Sequence, residues 1–378
     1  MNFSPSEEQV LIRNMVREFA DNEIKPIAAE IDKTHRFPEE TVARMKDLSL
    51  FGLALPEEYG GTGVDSLAAA IVYEELARVD ASHSIILSVH GMATKPIYYF
   101  GTDEQKQKYL PDLASGKSIG CFCLTEPGAG TDAGAQASRG VREGDKFIIN
   151  GSKVFITNGS VGGTYVIFVM TQPDKGLKGI TAFIVDRDNP GLKIGQLEEK
   201  MGICASATAE VIFDNMVVPV SDMLGQEGDG FKIAMRALDA GRIGVAAQAV
   251  GIAQGAMEAA VTYIKDRKQF GKPIAANQGI QWMVADMANA IEGARLLTYQ
   301  AAWYNDTPGR WSKYSAMAKL TAARMAMDVT RDAIQLHGGI GYTRNYPVER
   351  FLRDAKITEI YEGTNEVMKM VISGAVLA

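Results

Sequence analysis

The hydrophobic period of this chain changes twice, from helical to strand-like and back, and that order restricts the architecture before any motif is read. From residue 5 to about 117 the spacing is helical. Leu11, Met15 and Phe19 fall one turn apart, Phe37-Pro38 opens another helix, and Thr102-Asp-Glu-Gln105 is a capping box. Ser4-Pro5-Ser6-Glu7 reads as a further capping box with proline at the first helical position. From Ser118 to about Pro219 the texture becomes Val, Ile, Thr and Phe runs broken by turn residues. Phe147 to Thr157 reads as a hairpin around Asn150-Gly151, and Tyr165–Met170, Ile180–Val185 and Glu210–Phe213 add strands. Beyond Gly230, Ala- and Met-rich stretches at Ile233–Lys265, Gln278–Trp303 and Trp311–His337 have the length and spacing of bundle helices. The expected fold is α+β, with an N-terminal helical domain (1–117), a middle antiparallel β domain (118–229) and a C-terminal helical domain resembling a four-helix bundle (230–378).

Composition limits the function classes. With 378 residues, 46% of them hydrophobic, the chain can fill several cores. A net charge of -7, a pI near 5.3 and no block of Lys and Arg argue against nucleic acid and anionic membrane as partners. No apolar stretch reaches the length of a membrane span. The three cysteines, Cys121, Cys123 and Cys204, include a C-x-C pair inside an apolar run with no His nearby, which reads as a buried strand and not as a metal site or disulfide. The cysteine usage and the helix signal beginning almost at Met1 predict a cytoplasmic protein without a leader.

Four segments carry chemistry. Near the C-terminus, Glu362 stands between Tyr361 and Gly363 at the expected break between a helix running to Ile360 and a new one capped by Thr364. A carboxylate partly desolvated by an aromatic ring and set beside unsatisfied backbone N–H groups suits a base with a tunable pKa; the same residues also describe an ordinary helix-loop-helix corner. Cys123 to Asp132 runs from a strand into a Pro-Gly loop able to present N–H groups to a polar ligand edge, or simply to turn. Phe155 and Thr157 place a ring and a hydroxyl on one strand face, an arrangement suited to a flat heteroaromatic cofactor or to a half-buried sheet surface. Asp266 to Pro273 reads as an irregular interhelical segment offering Arg267 for phosphate and Phe270 for stacking, and Gln335 to Tyr342 supplies glycines that cap a helix or admit a pyrophosphate.

Together, Leu-Thr-Glu-Pro-Gly-Ala-Gly-Thr-Asp, Arg-Lys-Gln-Phe-Gly-Lys-Pro, Gln-Leu-His-Gly-Gly-Ile-Gly-Tyr and Ile-Tyr-Glu-Gly-Thr-Asn-Glu, in this order, resemble the acyl-CoA dehydrogenase family over essentially the whole chain. The chain is most similar to the short-chain, butyryl-CoA branch. The resemblance implies bound FAD, a homotetramer built as a dimer of dimers, and oxidation of an acyl-CoA thioester to its trans-2-enoyl-CoA, with electrons passed to an electron-transferring flavoprotein. It makes Glu362 the base that removes the α-proton while the β-hydrogen leaves as hydride to flavin N5. The thioester carbonyl would be polarised by the Glu362 N–H and the ribityl 2'-hydroxyl.

By the same resemblance Phe122, Leu124, Thr125, Phe155 and Thr157 line the flavin ring, with Phe155 where many relatives have Trp. Arg267, Phe270, Gln278 and the stretch Gln335, Leu336, Gly338, Gly339 reach the adenine and pyrophosphate of the neighbouring subunit's FAD, while Thr364 and Glu366 touch the same subunit's. Thr131, Asp239, Ala240, Gly241, Arg242 and Gly363 are similar to substrate and pantetheine contacts. A branch that includes isovaleryl-CoA dehydrogenases carries its base near residue 241, which is glycine here, and the arginine used by glutaryl-CoA dehydrogenases is missing between Ala81 and Lys95. An enoyl-CoA reductase, a flavin oxygenase or oxidase of the same superfamily, and a non-enzymatic role are the competing expectations.

Overall fold

The computed structural model describes residues 5–53, 55–309 and 311–378. The first part is helical: α1 (Glu7–Phe19), α2 (Ala28–Thr34), α3 (Glu39–Asp47), α4 (Ser66–Ala77), α5 (Ala81–Phe100) and α6 (Asp103–Ala114). Two capping boxes start α1 and α6, each pairing a hydroxyl with a glutamine three residues on: Ser6 with Gln9, and Thr102 with Gln105. The cap of α1 is therefore Ser6, and Pro5 lies outside the helix; the expectation for Ser4 falls on a residue outside those described. Nearly all of α4 and α5 is buried, because both pass through the middle of the molecule.

Eight strands follow: β1 (Gly120–Cys123), β2 (Arg139–Glu143), β3 (Lys146–Thr157), β4 (Thr164–Met170), β5 (Ile180–Asp186), β6 (Leu192–Leu197), β7 (Thr208–Pro219) and β8 (Met223–Leu224). They form one sheet in the order β6-β7-β3-β2-β4-β5-β8, with β1 added beside β4. Most pairings are antiparallel, but β1 runs parallel to β4, Gly120 opposite Thr164. The expected hairpin at Asn150-Gly151 is not a turn. Residues 146–157 form one strand paired along its length with β7, and Asn150-Gly151 is an irregularity in that ladder. The true reversal is at Gly144, between β2 and β3. An Asn-Gly pair carries the same local signal in both settings, and pairing with a strand sixty residues away decided which one formed.

Alternation along β1, β4 and β5 divides two cores. Cys121, Tyr165, Ile167, Val169 and Phe183 point into the curled sheet, whereas Phe122, Val166, Phe168, Ile180 and Ala182 join the core shared with the helices. The outward face of the sheet is thus packed on α5 and on α7 (Gly230–Asp266), a helix of 37 residues and about 55 Å. After α7 a two-stranded ribbon, β9 (Lys268–Gln269) and β10 (Lys272–Pro273), replaces the expected irregular segment; positive φ at Phe270 and Gly271 gives its turn. The helices α8 (Gln278–Asn305), α9 (Ser312–His337), α10 (Val348–Thr358) and α11 (Asn365–Leu377) complete the bundle around α7. Asp354 of α10 accepts the Ile203 N–H at 2.5 Å, and Arg353 pairs with Asp32 of α2 at 2.7 Å, so the last long-range contacts tie all three parts together.

Candidate functional site

Helix α10 stops at Thr358, two residues earlier than its pattern suggested, and α11 begins after Thr364, whose hydroxyl accepts the Val367 N–H. Six residues bridge the two helices, and two of them turn the chain through left-handed backbone: Glu362 at φ 52° and Gly363 at φ 101°. Glycine adopts that conformation freely and glutamate at some cost, so Glu362 is strained where the chemistry was expected. Phe155 (φ 58°) and Phe270 (φ 51°) share this trait. Three of the predicted site residues thus adopt a conformation that non-glycine residues rarely take, Phe270 within the tight turn of its ribbon.

The Glu362 side chain turns inward over α7. A Cβ built on Gly241 would stand 2.2 Å from Glu362 Oε2 and 2.8 Å from Met92 Sδ, so any side chain at 241 would compete with the carboxylate for the same space. Oε2 is buried and has no hydrogen-bond partner among the described residues. Burial raises the Glu362 carboxyl to about 7, against the pull of Arg242 and then Lys319, which favour the charged form. The loop is fixed from outside the carboxylate: Arg242 Nε donates to the Glu362 carbonyl at 3.2 Å, and Lys319 Nζ donates to the Gly363 carbonyl at 2.7 Å. Arg242 is itself aligned by Asp239 at 2.6 Å, and Ser312 donates to the other Asp239 oxygen. Next to the base, the Tyr361 hydroxyl donates to Gln248, and its pKa is driven up by burial and by the Glu362 charge. The Glu362 N–H makes no hydrogen bond among the described residues.

Asp239, Gly241, Arg242, Glu362 and Gly363 are therefore brought together, whereas Ala240 lines a separate small pocket with Tyr99 and Arg236. Phe122, Leu124, Thr125, Phe155 and Thr157 form a second group on the β domain. Thr125 is joined to the Phe155 strand where the Val154 N–H donates to its carbonyl at 2.9 Å. Within this group Phe122 and Leu124 are buried, the Phe122 ring lying 4.9 Å from Phe168, whereas Phe155 is 64% exposed. Below the loop a fully buried Lys153 donates to Leu124 O at 3.1 Å and to Glu126 at 2.6 Å, an ion pair that shapes the Thr125–Asp132 turn. Thr131 sits exposed on that turn, and Thr364 and Glu366 begin α11 beside the base.

The third group is elsewhere. Arg267, Gln335, Leu336, Gly338 and Gly339 line a broad groove of about 1620 Å³ at the far ends of α7 and α9. Phe270, on the ribbon tip, is 99% exposed, and Gln278 opens α8 in solvent. From Gly241 to the end of α7 the helix rises about 38 Å, so Arg267 lies far from Glu362 within one chain, although the groove itself reaches back along α7 to Gly255. Sequence reading missed Met92, Gln248 and Lys319. A signal existed for the last: Ser315, Lys319, Ala322 and Ala326 fall on one buried stripe of α9, and a lysine there breaks an otherwise small and apolar face.

Models of the acyl-CoA dehydrogenase N-terminal, middle and C-terminal domains match residues 6–117, 121–216 and 228–377. A short-chain specific acyl-CoA dehydrogenase of Clostridium acetobutylicum is 55% identical over 377 residues, covering 100% of both chains. An NADH-dependent acryloyl-CoA reductase of Anaerotignum propionicum is 48% identical over 100% of this chain and 96% of its own. The solved structure of butyryl-CoA dehydrogenase from Megasphaera elsdenii superposes with a TM-score of 0.98 at 45% identity, covering 100% of each chain. Since all three domain models match in order and the likeness to these relatives runs over the full length, the chain belongs to the acyl-CoA dehydrogenase family.

Proposed function

We propose that the protein oxidises the Cα–Cβ bond of a short-chain acyl-CoA thioester, butyryl-CoA being the preferred size, to the trans-2-enoyl-CoA, with Glu362 as the base. The observation that carries this reading is the Glu362 carboxylate: buried at Oε2 and without a partner there among the described residues, poised near neutrality and facing space that only a glycine at 241 leaves open. Glu362 takes the α-proton, and the electron pair of the broken Cα–H bond becomes the new Cα=Cβ bond. The free Glu362 N–H is available to the thioester carbonyl as negative charge builds there. Arg242 and Lys319 hold the loop so that carboxylate and N–H stay in register.

The cofactor is FAD, which when bound accepts the hydride leaving Cβ and passes electrons on, as we propose, to an electron-transferring flavoprotein. The residues fit such a group. Phe155 presents an exposed ring beside the Thr125 loop, and Gly338 and Gly339 leave open space where a Cβ would stand. The rise of about 38 Å along α7 between Gly241 and the helix end that precedes Arg267 supports a cofactor shared across subunits. Phe155 and Thr157 of one chain would hold the ring, and Arg267, Phe270, Gln278 and Gln335 to Gly339 of another the adenylate end, in a dimer of dimers. Thr131, Asp239, Ala240 and Gly363 would contact the substrate. No helix among the described residues is long and apolar enough to cross a membrane, and three buried free cysteines fit the cytoplasm.

A second reading, enoyl-CoA reduction through the same residues, is favoured by the similarity to the acryloyl-CoA reductase. Both are tested by mixing the flavin-loaded protein anaerobically with short straight, branched and alicyclic acyl-CoAs, then with enoyl-CoAs after reduction. Bleaching by a short acyl-CoA is expected, and Glu362→Gln should turn over at least ~10²-fold more slowly with flavin still bound. Activity of Glu362→Gln within a few-fold of the parent would overturn the assignment of the base. A bound flavin that no acyl-CoA bleaches, reoxidised rapidly by oxygen after reduction, would point to oxidase chemistry.

A further inference from the structure

The loop carrying the base is gripped by two cations, and only one of them has a carboxylate partner. Arg242 is paired with Asp239 at 2.6 Å. Lys319, on α9, has no exposed surface, and among the described residues no carboxylate lies within ion-pair distance of it. Its one side-chain hydrogen bond among the described residues goes to the Gly363 carbonyl at 2.7 Å. A buried ammonium is costly unless something offsets its lost hydration, and a single neutral carbonyl offsets little. The remaining compensation is the negative charge of Glu362, one residue before the carbonyl that Lys319 holds.

We propose that Lys319 is a positioning residue for Glu362: its ammonium fixes the Gly363 carbonyl, while Arg242 fixes that of Glu362, and it supplies the positive charge that keeps the buried carboxylate ionised. Two consecutive peptide carbonyls are thereby held by cations from two helices, α7 and α9, and the left-handed turn between them aims the carboxylate at Gly241. The other charged or titratable groups facing this pair among the described residues are Asp239 on α7, Glu359 and Tyr361 after α10, Glu366 on α11 and Tyr73 on α4. Burial lowers the Lys319 ammonium to about 8, so it retains its charge through neutrality, where the base must be ionised.

The inference rests on the reading of Glu362 as base. Its test uses two readouts on the flavin-loaded enzyme: the acid limb of the kcat profile, and the infrared titration of the Glu362 carboxyl, identified by its loss in Glu362→Gln. Removing a nearby positive charge raises a carboxylic pKa, so Lys319→Met should move both upward by about one pH unit. Lys319→Arg should return both to the parent position. Lys319→Gln keeps a donor for the Gly363 carbonyl without the charge, and should shift the limb as Met does while losing less turnover at high pH; it decides the matter if the Met variant does not fold. Unmoved titrations in the Gln variant, or an Arg variant that restores neither, would overturn the role of Lys319. The infrared band does not depend on turnover. Retained activity in Glu362→Gln would overturn the base reading and this inference with it, whereas an inactive Glu362→Gln beside an unmoved Lys319→Gln band sinks this inference alone.

Discussion

Adding one methyl group at Gly241 tests the geometry of the base without touching the base. The new Cβ would lie 2.2 Å from Glu362 Oε2, about 1.2 Å short of the 3.4 Å at which ordinary contact begins, and 2.8 Å from Met92 Sδ. Met92 is flexible and can yield, but the Glu362 loop is held by Arg242 and Lys319, so the carboxylate must rotate away from the space it now faces. Misplacing a catalytic group by about 1 Å costs on the order of 10²-fold, equivalent to ~2.7 kcal/mol of barrier. Helix propensity works in the opposite direction, because alanine is better than glycine in a helix interior by about 1 kcal/mol. Gly241→Ala should therefore lose about 10²-fold in the rate of anaerobic flavin reduction by acyl-CoA while its apparent melting temperature stays within a few degrees of the parent. Reduction within about threefold of the parent would refute the argument, since the carboxylate would then be working from a displaced position or would not be the base. Parallel loss of activity and thermal stability would show that the clash is relieved by unpacking α7.

Two further outcomes are expected. Burial raises the Asp354 carboxyl to about 7, so it binds a proton more readily in the folded chain than in the unfolded one; its stabilisation is complete at low pH and is lost as pH rises from about 4 to 7. Asp354→Asn, which can still accept the Ile203 N–H, should melt higher than the parent at pH 8 by the equivalent of a few kcal/mol, with the gap narrowing toward pH 5; parallel melting curves across that range would rule the argument out. Phe270→Ala removes a ring that is 99% exposed, so the stability of the isolated chain should change by less than about 0.5 kcal/mol. Flavin retained through gel filtration should nonetheless fall, and retention equal to the parent would remove Phe270 from the cofactor site.

Much of this site was legible locally. Thr364 as a cap and Gly363 as a break directly after Glu362 are short-range statements, since capping and left-handed turns involve residues only a few positions apart, and they appear in the structure as expected. One departure came where two distant segments compete for one signal, and the other was local. Asn150-Gly151 has the composition of a tight turn, but pairing with β7 drew it into a long strand, and Asp266 to Pro273 closed into a ribbon where an open segment was expected.

The sequence by itself determined the order of helical, strand and helical regions, the helix caps, and the four motifs whose succession marks the family. Those follow from residue spacing and backbone preference, which act over a turn or two of chain. Only the tertiary structure decided that the Glu362 carboxylate would lie over Gly241, 121 positions earlier, that Lys319 would hold the next carbonyl, and that the Lys319 side chain and Glu362 Oε2 would both be withdrawn from water. Desolvation and charge coupling depend on what surrounds a group in space, and the chain brings those surroundings from α4, α5, α7 and α9 only when the whole bundle has closed.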